Sequence, residues 1–226
     1  MENGEAPQQH RKKLLLPLHP KRVTGRTDLD TFFSSVKSIA NYTCVQLFFS
    51  VKTQFLYAEC MRKESHSHGA YQAFVRNVGA PNILRTDNVQ TQIGLKWTTT
   101  SRNNATKQVN LVPHNQQQNQ SEQKVRDVKK RTILTLRQSN APLISWCFCL
   151  IFIVDCLNHT SVKALDWLTP KENQDGHTPD ISSFSFKFWE PVWYYEPTAK
   201  YPAPNFLAGP FVGTAWDHGD AFTYKI

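Results

Sequence analysis

From Thr27 the chain alternates apolar and polar positions at the period of a strand. Asp28-Leu29-Asp30-Thr31-Phe32-Phe33 is a short run that stops at Ser34-Ser35. Two β-rich runs follow, Thr43 to Ser50 and Gln54 to Cys60. Val51-Lys52-Thr53 joins them, which predicts a hairpin or meander. The period then lengthens to that of a helix over Ser65 to Val78, where Tyr71, Phe74, Val75 and Val78 share one face. Ser65 or Ser67 supplies an N-cap, Gly79 the residue past the C-cap, and Pro81 blocks continuation. Asn82 to Thr86 reads as a strand that ends at Asp87. Three strands, a helix and a strand closed by a carboxylate make an α/β layout.

Beyond Asp87 the pattern weakens. Residues 88–113 read as a long polar, irregular stretch, and residues 115–120 (NQQQNQ) as low complexity. A basic helix then emerges, with Val125, Val128, Ile133 and Leu136 as its apolar face. Lys124, Arg126, Lys129, Lys130, Arg131 and Arg137 crowd the rest of it. A second helix covers about Leu143 to Leu157. Its most apolar part, Leu143 to Val154, is too short for a membrane span and reads as buried. After Pro170 the texture changes to aromatics among prolines, a β-rich or irregular appendage. Residues 1–26 read as a flexible basic arm, 27–170 as the folded α/β core and 171–226 as an incomplete C-terminal extension.

Composition adds a partner class. The 226 residues are 40% hydrophobic, enough to bury a core, and carry a net charge of +8. That excess suits a polyanion such as nucleic acid. The polar opening residues are no secretory signal. Five irregularly spaced cysteines, Cys44, Cys60, Cys147, Cys149 and Cys156, predict free thiols in a reducing compartment rather than a disulfide framework or a zinc site.

Three acidic positions suit metal chemistry. Asp30 lies in the first strand, Asp87 closes the strand after the first helix, and Glu122 opens the basic helix. Carboxylates from different elements are the hard oxygen donors that Mg²⁺ or Mn²⁺ requires. Such a set can hold two ions about 4 Å apart, one activating a hydroxyl and one stabilising a leaving oxygen. Scattered acidic residues on a domain this size are usually solvated surface, so spacing alone is a weak signal.

Three blocks give the set a context. They are Asp30-Thr31-Phe32-Phe33, Leu84-Arg85-Thr86-Asp87-Asn88, and the run from Pro113-His114 through Gln116-Gln117-Gln118 to Glu122. Together they resemble the signature blocks of retroviral and copia-like retrotransposon integrase cores. There are 56 residues between Asp30 and Asp87 and 34 between Asp87 and Glu122, close to the family's spacing. Further on, Phe188-Trp189-Glu190-Pro191, Pro204-Asn205-Phe206-Leu207 and Phe211-Val212-Gly213 are similar to the segment that follows the core in copia-like polyproteins.

The resemblance implies a ribonuclease-H-like fold, a mixed central sheet flanked by helices. It implies 3′-end processing and strand transfer with two Mg²⁺ or Mn²⁺ ions held by Asp30, Asp87 and Glu122. It implies DNA partners (element ends and target duplex), a homo-oligomer on DNA, no membrane, and an intracellular site, the nucleus or a cytoplasmic virus-like particle. Lys124, Arg126, Lys129 and Lys130 become candidate phosphate contacts. Arg126 and Lys129, four and seven residues after Glu122, share its face.

The sequence also departs from the family. The block from Pro113 to Glu122 is one residue short, Gln120 replaces a common Gly, and Gln123 replaces a basic residue. Ala40-Asn41 stands where a turn Gly is usual, a position Asn tolerates. Asp28 projects from the same strand face as Asp30, and a shift of register would present it instead. No His-His-Cys-Cys zinc module precedes the core, so the chain reads as a truncated copy. The alternative function is a catalytically inactive nucleic-acid-binding remnant.

Overall fold

The computed structural model describes residues 21–86, 94–110, 119–215 and 223–226, and among residues 110, 119 and 120 the backbone alone. Its centre is a five-stranded sheet in the order β3-β2-β1-β4-β5. The strands are β1 (Arg22–Phe33), β2 (Cys44–Ser50), β3 (Leu56–Met61), β4 (Ala80–Thr86) and β5 (Lys107–Asn110). β1, β2 and β3 form the expected antiparallel meander, while β4 and β5 join parallel to β1. The sheet is therefore mixed. β1 begins at Arg22, upstream of the alternation legible from Thr27.

Alternate side chains divide the sheet into two apolar faces. On one, Val23, Leu29, Phe48 and Leu84 pack with Tyr71 and Phe74 of α1 (Ser67–Asn77) and Trp97 of α2 (Leu95–Asn103). On the other, Val45, Leu47, Phe49, Leu56 and Cys60 meet α3 (Asn119–Gln138) and α4 (Trp146–Asn158). Each fully buried Val, Leu or Phe side chain stabilises the fold by about 1.5–3 kcal/mol.

Gly79 ends α1 as expected. It takes φ of +132°, its N–H donates to the Phe74 carbonyl, and a Cβ there would stand 2.3 Å from the Lys21 carbonyl oxygen. Asn41, with φ of +61°, makes the turn before β2. Its N–H donates to the Ser38 carbonyl at 2.8 Å.

Three expectations are corrected. The stretch that reads as irregular contains α2 and β5. The threonines of α2 are poor helix formers, but Trp97 is 1% exposed and stacks on Tyr71 with centroids 4.7 Å apart. Burial of one indole outweighs weak local propensity. Ile133 is 51% exposed, and the inward stripe of α3 is Val125, Val128, Thr132 and Leu136. Thr132 takes the place by donating its hydroxyl to the Val128 carbonyl. Finally, the cysteines are not all free. Cys60 and Cys147 form a disulfide, and Cys44, Cys149 and Cys156 are free. The pair is 87 residues apart in sequence, and packing of β3 against α4 brings the Cα atoms within 6.5 Å.

α4 is a core helix, as its composition predicts, with no exposed residue along it. Among the described residues no single helix is long and apolar enough to cross a membrane. Its last residue, Asn158, is buried beside the sheet edge. The side-chain amide accepts from the Leu56 N–H at 2.9 Å and donates to the Leu56 carbonyl at 2.7 Å. One amide thus completes the pairing of the edge strand at Leu56.

After α5 (Pro170–Asp175) the C-terminal segment is β-rich and irregular. It forms two small antiparallel ribbons, β6 (Pro191–Tyr195) with β7 (Phe206–Pro210) and β8 (Gly213–Thr214) with β9 (Tyr224–Lys225). Its described aromatics range from buried to exposed. Phe188 and Phe211 are buried and ring-pack with Phe152 of α4, whereas Trp193, Tyr195, Tyr201 and Phe206 are exposed.

Candidate active site

Asp30 lies near the C-terminal end of β1, half-buried, beside Leu47 of β2. Leu47 belongs to the apolar face covered by α3 and α4, so Asp30 looks toward those helices. Two contacts fix where α3 crosses. The Lys124 ammonium lies 5.6 Å from the centroid of Phe49, which pairs with Asp28 across the strands. The Lys129 ammonium lies 4.5 Å from the centroid of Phe32, two residues beyond Asp30. The helix therefore spans the part of β1 that contains Asp30. Glu122 occupies the first turn of this helix and is exposed. The third predicted ligand, Asp87, follows directly on β4 and lies outside the described residues, as does the Pro113 to Gln118 block.

Asp28 is not available as a substitute for Asp30. Its side chain is 2% exposed and held in an ion pair with Arg85 of β4 and a second, at 2.9 Å, with Arg26. Burial pushes its carboxyl up, against the opposing pull of Arg85 and Arg26. The sequence treats Asp28 as an alternative ligand, and the structure assigns it to two guanidiniums. Its signal was Arg85, which stands two residues before Asp87 as Asp28 stands two residues before Asp30.

The predicted basic contacts divide by burial. Arg126, Lys129 and Lys130 are exposed along α3, while Lys124 is half-buried against Phe49. Burial lowers the Lys124 amine, as does Arg131, and Asp127 partly restores it. Asp127 and Arg131 pair with each other at 3.0 Å, so Arg131 is partly neutralised.

The donor chemistry fits a hard divalent ion. Asp30 and Glu122 offer oxygen ligands from two elements on one side of the sheet, and no thiol or imidazole is needed. Among the described residues no group of three or more His, Cys, Asp or Glu converges on a metal position. The expected third member, Asp87, is not one of those residues.

No family model matches the sequence, and no curated protein matches it. Solved structures do match. The HTLV-2 integrase catalytic core domain, in complex with magnesium, superposes with a TM-score of 0.54 at 16% identity, covering 70% of this chain and 98% of that one. A simian T-cell lymphotropic virus intasome gives 0.56 at 15% identity, over 85% of this chain and 71% of that chain. The BIV integrase catalytic core gives 0.53 at 15% identity, over 66% and 92%. The fold is that of a retroviral integrase catalytic core, ribonuclease-H-like, and the expected resemblance holds in three dimensions. The likeness does not separate copia-like from retroviral relatives.

Proposed function

We propose that this chain is an integrase-type polynucleotidyl transferase that processes and joins DNA 3′ ends, with Asp30, Asp87 and Glu122 as its catalytic and metal-binding carboxylates. The observation that supports it most is the crossing of α3 over β1, which sets Glu122 and Asp30 on the same side of an integrase-like sheet. The chemistry that two bound Mg²⁺ or Mn²⁺ ions supply is activation of the attacking hydroxyl and stabilisation of the leaving oxygen.

The chain's own part is positioning and charge. Asp30 sits on a strand that pairs with β2 at Leu47 and with β4 as far as Asp28, a rigid element from which to present a ligand. Arg126, Lys129 and Lys130 present an exposed cationic stripe along the helix that starts at Glu122, suited to DNA phosphates. Self-association on DNA belongs to the same reading.

The test is a strand-transfer assay with purified protein, a short blunt duplex and Mg²⁺ or Mn²⁺. Product is expected from the native chain and none from Asp30→Asn, Asp87→Asn or Glu122→Gln. Equal product from the three variants would sink the assignment. Salt-sensitive DNA binding without any product would instead favour the non-catalytic remnant.

A further inference from the structure

β1 and β4 do not run in one register. Upstream, Arg22 pairs with Ala80 and Val23 with Pro81. Downstream, Arg26 pairs with Ile83 and Asp28 with Arg85, one residue out of step. The slip falls at Gly25, whose φ of +92° suits glycine and an inserted strand residue. Had the upstream register continued, Asp28 would stand beside Thr86, and Arg85 beside the neutral Thr27. A one-residue slip also opposes side chains that belong on different faces of a sheet.

The downstream register joins positions 57 apart in sequence, Asp28 to Arg85. The same offset separates positions 30 and 87, the two aspartates of the proposed site. Asp28 lies two residues before Asp30 on the same face of β1, and Arg85 two residues before Asp87 in sequence. Both side chains are nearly buried, at 2% and 7% exposure, and ion-paired with each other. Buried charges are costly to separate once one has lost its partner. An ion pair at this place discriminates between registers more sharply than apolar contacts would.

We infer that Asp28 and Arg85, supported by Arg26, are positioning residues. Their ion pair locks the shifted register of β1 on β4 and thereby sets Asp30 for metal binding. The inference rests on the proposed function. It assigns no contact with metal or DNA to either residue. Loss of groups that orient metal ligands typically weakens metal affinity about 10- to 100-fold.

Mn²⁺ binding to the full chain, followed by electron paramagnetic resonance, tests it beside urea unfolding. Native protein should bind Mn²⁺ and Asp30→Asn should not. Asp28→Asn and Arg85→Gln should each bind about 10- to 100-fold more weakly while keeping a cooperative unfolding transition. If either single variant fails to fold, the double variant Asp28→Leu/Arg85→Met replaces the pair with apolar bulk and should fold with the same weakened binding. Unchanged Mn²⁺ affinity in folded variants would overturn the inference and leave the proposed function standing. Weaker binding in Asp28→Asn with tighter binding in Arg85→Gln would also overturn it, by making Asp28 a ligand. Absence of Mn²⁺ binding in the native chain, with DNA present, would overturn the proposed function and this inference with it.

Discussion

Lys129 on α3 places its ammonium over the ring of Phe32 on β1, 4.5 Å from the centroid. One side chain thus serves the fold and, under the proposed function, DNA as well. Its stem and charge anchor the helix to the strand of Asp30, and its exposure leaves the cation open to solvent.

Lys129→Met separates those purposes. The apolar stem survives and the charge is lost, so urea unfolding should show a loss of about 0.5–1 kcal/mol. DNA affinity should fall, and the slope of log affinity against log salt should shrink by about 1. An unchanged slope would show that Lys129 meets no phosphate.

Asn158 gives a sharper stability prediction. Asn158→Leu keeps the volume but strands the Leu56 N–H and carbonyl beside α4. Each buried group left unpaired costs about 1–3 kcal/mol. Denaturant titration should show a loss of about 2–4 kcal/mol, with the exposed cationic stripe of α3 untouched.

Acid should weaken the tie between Lys21, just before β1, and α5. Burial raises the Asp175 carboxyl, but hydrogen bonds and charge from Lys21 and Lys171 outweigh it and hold it below its ordinary value of 3.8. A depressed carboxylate stabilises the fold above that ordinary value and loses its contribution as pH falls through the lowered one. The stability difference between native chain and Asp175→Asn should therefore be full at neutral pH and vanish well below pH 3.8.

Alkali acts through the thiols. Burial pushes Cys149 up to about 12 and Cys156 up to about 11. A raised thiol favours the fold below its ordinary value of 9.0 and loses that contribution as pH rises toward the shifted one. Native protein at pH 8 should react with a thiol reagent far more slowly than urea-unfolded protein. Rapid native labelling at Cys149 would contradict its burial.

The meander, α1 and the strand before Asp87 were legible because period and the Gly79 stop agreed along the chain, although His66 rather than Ser65 or Ser67 stands at the N-cap of α1. Val125, Val128 and Leu136 were legible for the same reason. What stayed hidden was long-range. α2 exists because Trp97 finds Tyr71, and no window around Thr98-Thr99-Thr100 contains that fact. Cys60 meets Cys147 through the packing of β3 on α4. At the site, motif blocks singled out Asp30 and Glu122, but Asp28 and Arg85 become partners through a register that depends on one bulge. Periodicity reports what a residue faces, whereas register decides whom it meets.

α4 has packed neighbours on two sides. Its inner side rests on β2 and β3, and its outer side meets Phe188 and Phe211 from the C-terminal segment. The helix is therefore a shared wall between the sheet and the aromatic tail, with no weatherproof side of its own. Strip away the tail and Phe152 stands in water above the same cluster that shelters Leu47, the strand partner of Asp30. The residues that come last in the chain thus help keep the ground beneath the proposed site dry.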